Sequence, residues 1–134
     1  MEKIIRNELG SVSFDKEKKI LFEEFSGRVH IEKAKEIFSK ELQFAEKHKI
    51  LGICSDITNL VGTFTHFNTF FQNDYFPTLI QKGLVCNCII VSNDIFTQFA
   101  TENLITRLGN FEIKTFNNKE EGCKWVEDMI AKKE

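Results

Sequence analysis

Leu51-Gly52-Ile53-Cys54-Ser55-Asp56-Ile57-Thr58-Asn59 is a short, apolar, β-leaning run that follows a helical stretch directly and then switches to polar residues. A strand of this kind, entered straight from a helix, fits the interior of a mostly parallel sheet. The reading predicts a strand from Ile50 to Asp56, with Asp56 at its C-terminal end. Open α/β sheets collect their ligands at that edge. Asp56, with Thr58 and Asn59 able to hydrogen-bond or cap beside it, is therefore a first candidate site. The plainer role for Asp56 is to accept loop N–H groups and shape the turn.

Downstream, Phe64, Phe67, Phe70, Phe71, Tyr75 and Phe76 keep helical spacing up to about Gln81, with Pro77 expected to kink or divide the helix and Gly83 to end it. Six rings exceed what an inner stripe of roughly 100° can bury. The surplus predicts a pocket, a contact surface for a protein partner or a second copy of the chain, or an irregular segment that folds its rings back into an enlarged core. Phe64, Phe67, Phe71 and Tyr75 join Asp56, Thr58 and Asn59 as candidate ligand- or partner-binding residues.

Upstream, Ser11-Val12-Ser13-Phe14 and Ile20-Leu21-Phe22-Glu23-Glu24-Phe25 alternate in part around the charged Asp15-Lys16-Glu17-Lys18-Lys19, which predicts a hairpin. From His30 to Lys49, Ala34, Ile37, Phe38, Leu42 and Ala45 trace one face of a helix and Glu and Lys fill the other. Beyond Gly83, the run Leu84 to Val91 reads as a second buried strand. Asn93 or Asp94 then caps a helix from Ile95 to Leu108, with Phe96, Phe99, Ala100, Leu104 and Leu108 as its expected inner stripe. Phe111 to Phe116 alternates as an edge strand with one wet face. A last helix, capped by Asn117 or Asn118, turns Cys123, Val126 or Trp125, Met129 and Ile130 inward.

The expected order is β-β-α-β-α-β-α-β-α. This is an α/β fold of about five strands and four helices over residues 1–134, a hairpin followed by right-handed parallel crossovers. With 134 residues, 42% hydrophobic and 28% charged, the chain has the composition of one ordinary globular domain. A net charge of −2 provides no basic field for nucleic acid. The apolar runs are too short to cross a bilayer and the N-terminus has no signal-peptide core, so a cytoplasmic location is expected. The four cysteines then read as reduced thiols, with Cys86 and Cys88 on one strand face and Cys54 as a neighbour on the adjacent strand. Their spacing is not that of a zinc site, and no metal or other cofactor is expected. His30, His48 and His66 lie on separate elements and read as surface residues. No nucleophile elbow, phosphate loop or paired-histidine motif is present, and no catalytic residue is assigned.

Asp56-Ile57-Thr58 after a strand, the Phe76-Pro77 helix, the Cys88-Ile89-Ile90-Val91 strand and the ending Thr115-Phe116 with Glu120-Glu121-Gly122-Cys123-Lys124-Trp125-Val126 together resemble the STAS-like, SpoIIAA-like family of small bacterial proteins. The likeness runs from about Val12 to the end. It implies a βα superhelix and a non-catalytic regulatory or protein-interaction role, with partner contact or homodimerisation around Asp56 and Phe64 to Pro77. In the antagonist branch a strand ending in Asp-Leu-Ser is followed by an Asp-Ser-Ser-Gly cluster that carries the phosphorylated serine. Asp56-Ile57-Thr58 matches the first part. The second reads Phe64-Thr65-His66-Phe67, so Thr65 is the hydroxyl near the phosphorylation position and the match to a phosphoswitch is lost. The STAS/SEC14-like branch is the nearer one. It implies an apolar or lipid-like small-molecule ligand, with Asp56, Thr58 or Asn59 at its polar end, and peripheral membrane association.

Overall fold

Alternation of polar and apolar side chains sets the register of the sheet, and the computed structural model, which describes residues 1–133, shows how far that alternation extends. Six strands lie side by side in chain order: β1 (Glu2–Arg6), β2 (Gly10–Asp15), β3 (Ile20–Arg28), β4 (Gly52–Val61), β5 (Cys86–Ile90) and β6 (Glu112–Phe116). The first three pair antiparallel, and β3 to β6 pair parallel through helical crossovers. Four helical segments connect or follow the parallel strands: α1 (Ile31–Ala45), a composite α2 over 65–81, α3 (Ile95–Leu108) and α4 (Lys119–Lys133).

The two faces of the sheet bury different cores. On the front, Leu21, Phe25, Ile53, Ile57 and Ile89 pack with Ile37 and Phe38 of α1, the rings of α2 and Leu104 of α3. On the back, Ile20, Cys54, Cys86, Cys88 and Ile90 meet Val126 and Ile130 of α4 alone. No helix among the described residues is long and apolar enough to cross a membrane.

The α/β architecture and the four helices match the expectation, and β6 is an edge strand, bonded only to β5. The strand count is six rather than five. β1 escapes an alternation test because its apolar pair, Ile4-Ile5, is adjacent, and a register shift between Lys3 and Ile5 accommodates it. Asn7 fixes this extra hairpin to α1 by donating from Nδ2 to the Lys33 carbonyl and to Glu36 Oε1, both at 3.0 Å.

Helix α1 is shorter than expected and stops at Ala45, so Lys47, His48 and Lys49 lie beyond its end. His30 is its N-cap, with Nδ1 accepting from the Lys33 N–H at 3.2 Å. In α3 the buried stripe is Thr97, Ala100, Thr101 and Leu104, whereas Phe96 and Phe99, expected inside, are 64% and 66% exposed. Polar anchoring decides this phase. The Thr97 hydroxyl donates to the Gly62 carbonyl at 2.6 Å, and Asp94 Oδ2 accepts from the Gly62 and Thr97 N–H groups at 3.0 Å each. Those two N–H bonds also hold the Asp94 carboxyl below its usual range.

Gly10, opposite Phe25 in the β2–β3 register, sits where a Cβ would come within 2.2 Å of the Glu24 carbonyl oxygen. The obstacle is backbone, so it cannot move aside by changing rotamer. Gly10→Ala is expected to cost about 1–3 kcal/mol through this overpacking. Urea unfolding measures it, and an unchanged midpoint would show that the two strands separate freely at this point.

Candidate functional site

Strand parity builds a polar row into the apolar front face. Leu21, Glu23 and Phe25 point to the front from β3, Ile53, Ser55 and Ile57 from β4, and Asn87 and Ile89 from β5. Glu23 and Ser55 are register partners, and the Ser55 hydroxyl donates to Glu23 Oε1 at 2.5 Å. Asn87 Nδ2 donates to the Ser55 hydroxyl oxygen at 3.1 Å, as well as to the Ile53 and Cys88 carbonyls. From α2 above, the Tyr75 hydroxyl reaches Glu23 Oε2 at 3.3 Å and donates to Glu41 Oε1. Glu41 comes from α1 and is completely buried.

Two carboxyls this close and this dry do not both ionise at neutral pH. Burial foremost, then the charge of Glu23 and the hydrogen bond to it, push the Glu41 carboxyl well above its usual range, outweighing the opposing pull of the Tyr75 hydroxyl. Tyr75 is likewise held neutral, by burial and by the two carboxyls. Glu41 Oε2 accepts no hydrogen bond. A protonated carboxyl fits that environment better than a carboxylate would.

Beside this row lies a cavity of about 80 Å³. Its polar wall is Glu23, Ser55, Tyr75 and Asn87, and the remainder is apolar, with the rings of Phe38, Phe64, Phe67, Phe71 and Phe76 prominent. The winding of α2 explains how so many rings turn inward. A 3₁₀ turn at Thr65–Phe67 and an α turn at Asn68–Phe70 lead into a π turn at Phe71–Tyr75, after which Phe76–Gln81 is regular with Pro77 in its first turn. The wider π turn brings Phe71, Tyr75 and Phe76 onto one side. Phe71 is the hub, with ring centroids 5.0 Å from Phe38, 5.6 Å from Tyr75 and 6.0 Å from Phe67. The buried Asn68 ties α2 to α3 through Nδ2, which donates to the Ala100 carbonyl and to Asn103 Oδ1.

Of the candidate residues, Phe64, Phe67, Phe71 and Tyr75 all line the cavity. Phe67, Phe71 and Tyr75 are buried, so these rings belong to the core and the pocket wall rather than to an outer surface. Asp56, Thr58 and Asn59 are not among the lining residues. β4 runs on to Val61, which places them within the strand rather than after it, and Asp56 is the last residue paired with β5. Asp56 Oδ1 accepts from the Thr58 N–H at 3.0 Å and from its hydroxyl at 2.6 Å, the local shaping role. Thr65 is half-buried at the start of α2, where its N–H donates to Thr63 Oγ1 and its hydroxyl oxygen accepts from the Thr63 hydroxyl.

The polar wall was missed, although the sequence carries a signal for it. In Ile20 to Phe25 both parities hold apolar residues, so one of Glu23 and Glu24 must fall on an apolar row. Glu41 stands three and four residues from Phe38 and Ile37 and four before Ala45, which puts it on the inner stripe of α1. Asn87 interrupts an otherwise apolar strand. No protein-family model and no curated protein matches the chain.

Proposed function

We propose that this protein is a non-catalytic, STAS-like binding module that holds a small apolar molecule with one hydrogen-bonding end in the cavity beneath α2. The observation that carries this reading is the pairing of an aromatic-walled cavity of about 80 Å³ with a single polar wall of Glu23, Ser55, Tyr75 and Asn87. Ligand sites commonly combine a mostly apolar lining with a few convergent polar groups. Strands in chain order after an N-terminal hairpin support the STAS-like part of the reading. Glu23 accepts hydrogen bonds, so the favoured polar end is a donor such as a hydroxyl. A contact with a protein partner or a second copy, as in a regulatory module, falls instead on exposed Ile95, Phe96 and Phe99 of α3.

Phenol, an apolar ring bearing one donor, is a suitable first probe. In methyl-resolved NMR of the full chain, the methyls of Ile57, Leu60 and Leu104 are expected to shift saturably with added phenol. Those of Val126 and Ile130, in the core on the other side of the sheet, should stay in place. Uniform small shifts, or none up to the solubility of phenol, would overturn the proposal.

A further inference from the structure

On the back of the sheet the same parity that builds the polar row gathers thiols. Cys54 of β4 and Cys88 of β5 are register partners, so their side chains stand next to each other beneath α4. The helix is pressed close at this point, since a Cβ on Gly122 would lie 3.1 Å from Cys88 Sγ and 2.7 Å from Ile90 Cδ1. The next residue, Cys123, packs against the cluster that holds this pair and brings a third thiol beside it. Among the described residues no trio of His, Cys, Asp or Glu is arranged to hold a metal ion.

The three thiols are not equivalent. Cys54 and Cys88 are buried, whereas Cys123 is half-buried and so open to solvent on one side. Hydrogen bonds from Cys54 and Cys88, then the charges of Lys119 and Lys18, hold the Cys123 thiol below its usual range despite partial burial. Cys54 is pushed up, by its hydrogen bonds to Cys123 and Cys88 and by burial. Thiolate character combined with access is what selects a cysteine for oxidation, and a protonated thiol in contact supplies the resolving partner. Cys86 is set apart, bonded only weakly to the Val126 carbonyl at 3.8 Å.

We propose that Cys123 is a peroxide-reactive thiol that closes a reversible disulfide with Cys54. The Cys123 thiolate attacks one oxygen of hydrogen peroxide, breaking the O–O bond, forming a sulfenic acid and releasing hydroxide. The Cys54 sulfur then displaces the sulfenic oxygen, and the Cys54 proton leaves with it as water. The two thiols are oxidised by two electrons in total and one peroxide is reduced. The product bond ties α4 to β4 on the face opposite the cavity, so the proposal does not depend on the ligand reading.

The test treats the reduced full chain with hydrogen peroxide, alkylates the remaining thiols and maps peptides without reduction. The expected product is a monomer lighter by two hydrogens, with Cys123 joined to Cys54, Cys86 and Cys88 alkylated, and dithiothreitol reversing the change. Cys123→Ser should fold, since the site is half-exposed, and should slow thiol loss at least about tenfold. In Cys54→Ser, dimedone should trap the sulfenic acid at Cys123. An unchanged mass, a link through Cys86 or Cys88, a link between two chains, or wild-type oxidation of Cys123→Ser would each overturn the proposal.

Discussion

Phe71→Ala is expected to destabilise the protein by about 3–5 kcal/mol, the range for losing a buried phenyl ring. Phe71 is 6% exposed, packs edge-on against Phe38 and Tyr75, and forms part of the cavity wall. Its removal joins the space it leaves to the existing cavity of about 80 Å³. An apolar cavity of roughly 150 Å³ stays dry and accepts benzene, so the variant should regain stability when benzene is added. The measurement is a pair of urea curves with and without benzene. A midpoint that benzene leaves unmoved would mean that α2 has collapsed into the gap.

Glu41→Ala should cost about 2–4 kcal/mol, because it opens a void and removes the partner of the Tyr75 hydroxyl in a dry site. Glu41→Gln keeps the volume and behaves differently with pH. The folded protein raises the Glu41 carboxyl above its ordinary value of 4.5, so the folded state binds the proton more tightly than the unfolded chain does. The stability this provides is complete below the ordinary value and is lost as pH rises toward and through the folded one. Wild type should therefore weaken from about pH 5 upward in this contribution, while the glutamine variant, with nothing to titrate, should not. Between about pH 5 and pH 8 Glu41→Gln should therefore gain stability relative to wild type. Urea midpoints across that range decide it, and a constant difference between the two proteins would show that folding leaves the affinity of Glu41 for its proton unchanged.

Local rules were sufficient for elements whose side chains obey one period. The β5 strand, the cap at Asp94 and the Cys54–Cys88 neighbourhood follow from alternation and helix-start chemistry. Where two periods compete, hydrophobicity chose wrongly. In α3 the stripe through Phe96 and Phe99 is the more apolar, yet Thr97 and Ala100 face in, because the Thr97 hydroxyl satisfies carbonyls at the end of β4. That partner is 35 residues away and has no local signature. The site divides in the same way. Its aromatic wall was visible as a surplus of rings. Its polar wall was not, because charge was assumed to mark solvent, and Glu23 and Glu41 become intelligible only once Tyr75 is placed between them. Cys123 likewise needed the docking of α4 before it could join two strand thiols.

The π turn at Phe71–Tyr75 makes the pocket a matter of phase. Each residue of a regular helix advances the side-chain direction by about 100°, so a stretch wound one residue wider resets the bearing of everything after it. Deleting one residue between Phe71 and Tyr75 would leave every ring in the composition and point those beyond the deletion elsewhere. A substitution in this segment removes one ring from the wall, whereas a change in its length alters the whole wall at once. In relatives of this chain, the spacing from Phe71 to Pro77 therefore says more about whether the cavity persists than the number of phenylalanines they contain.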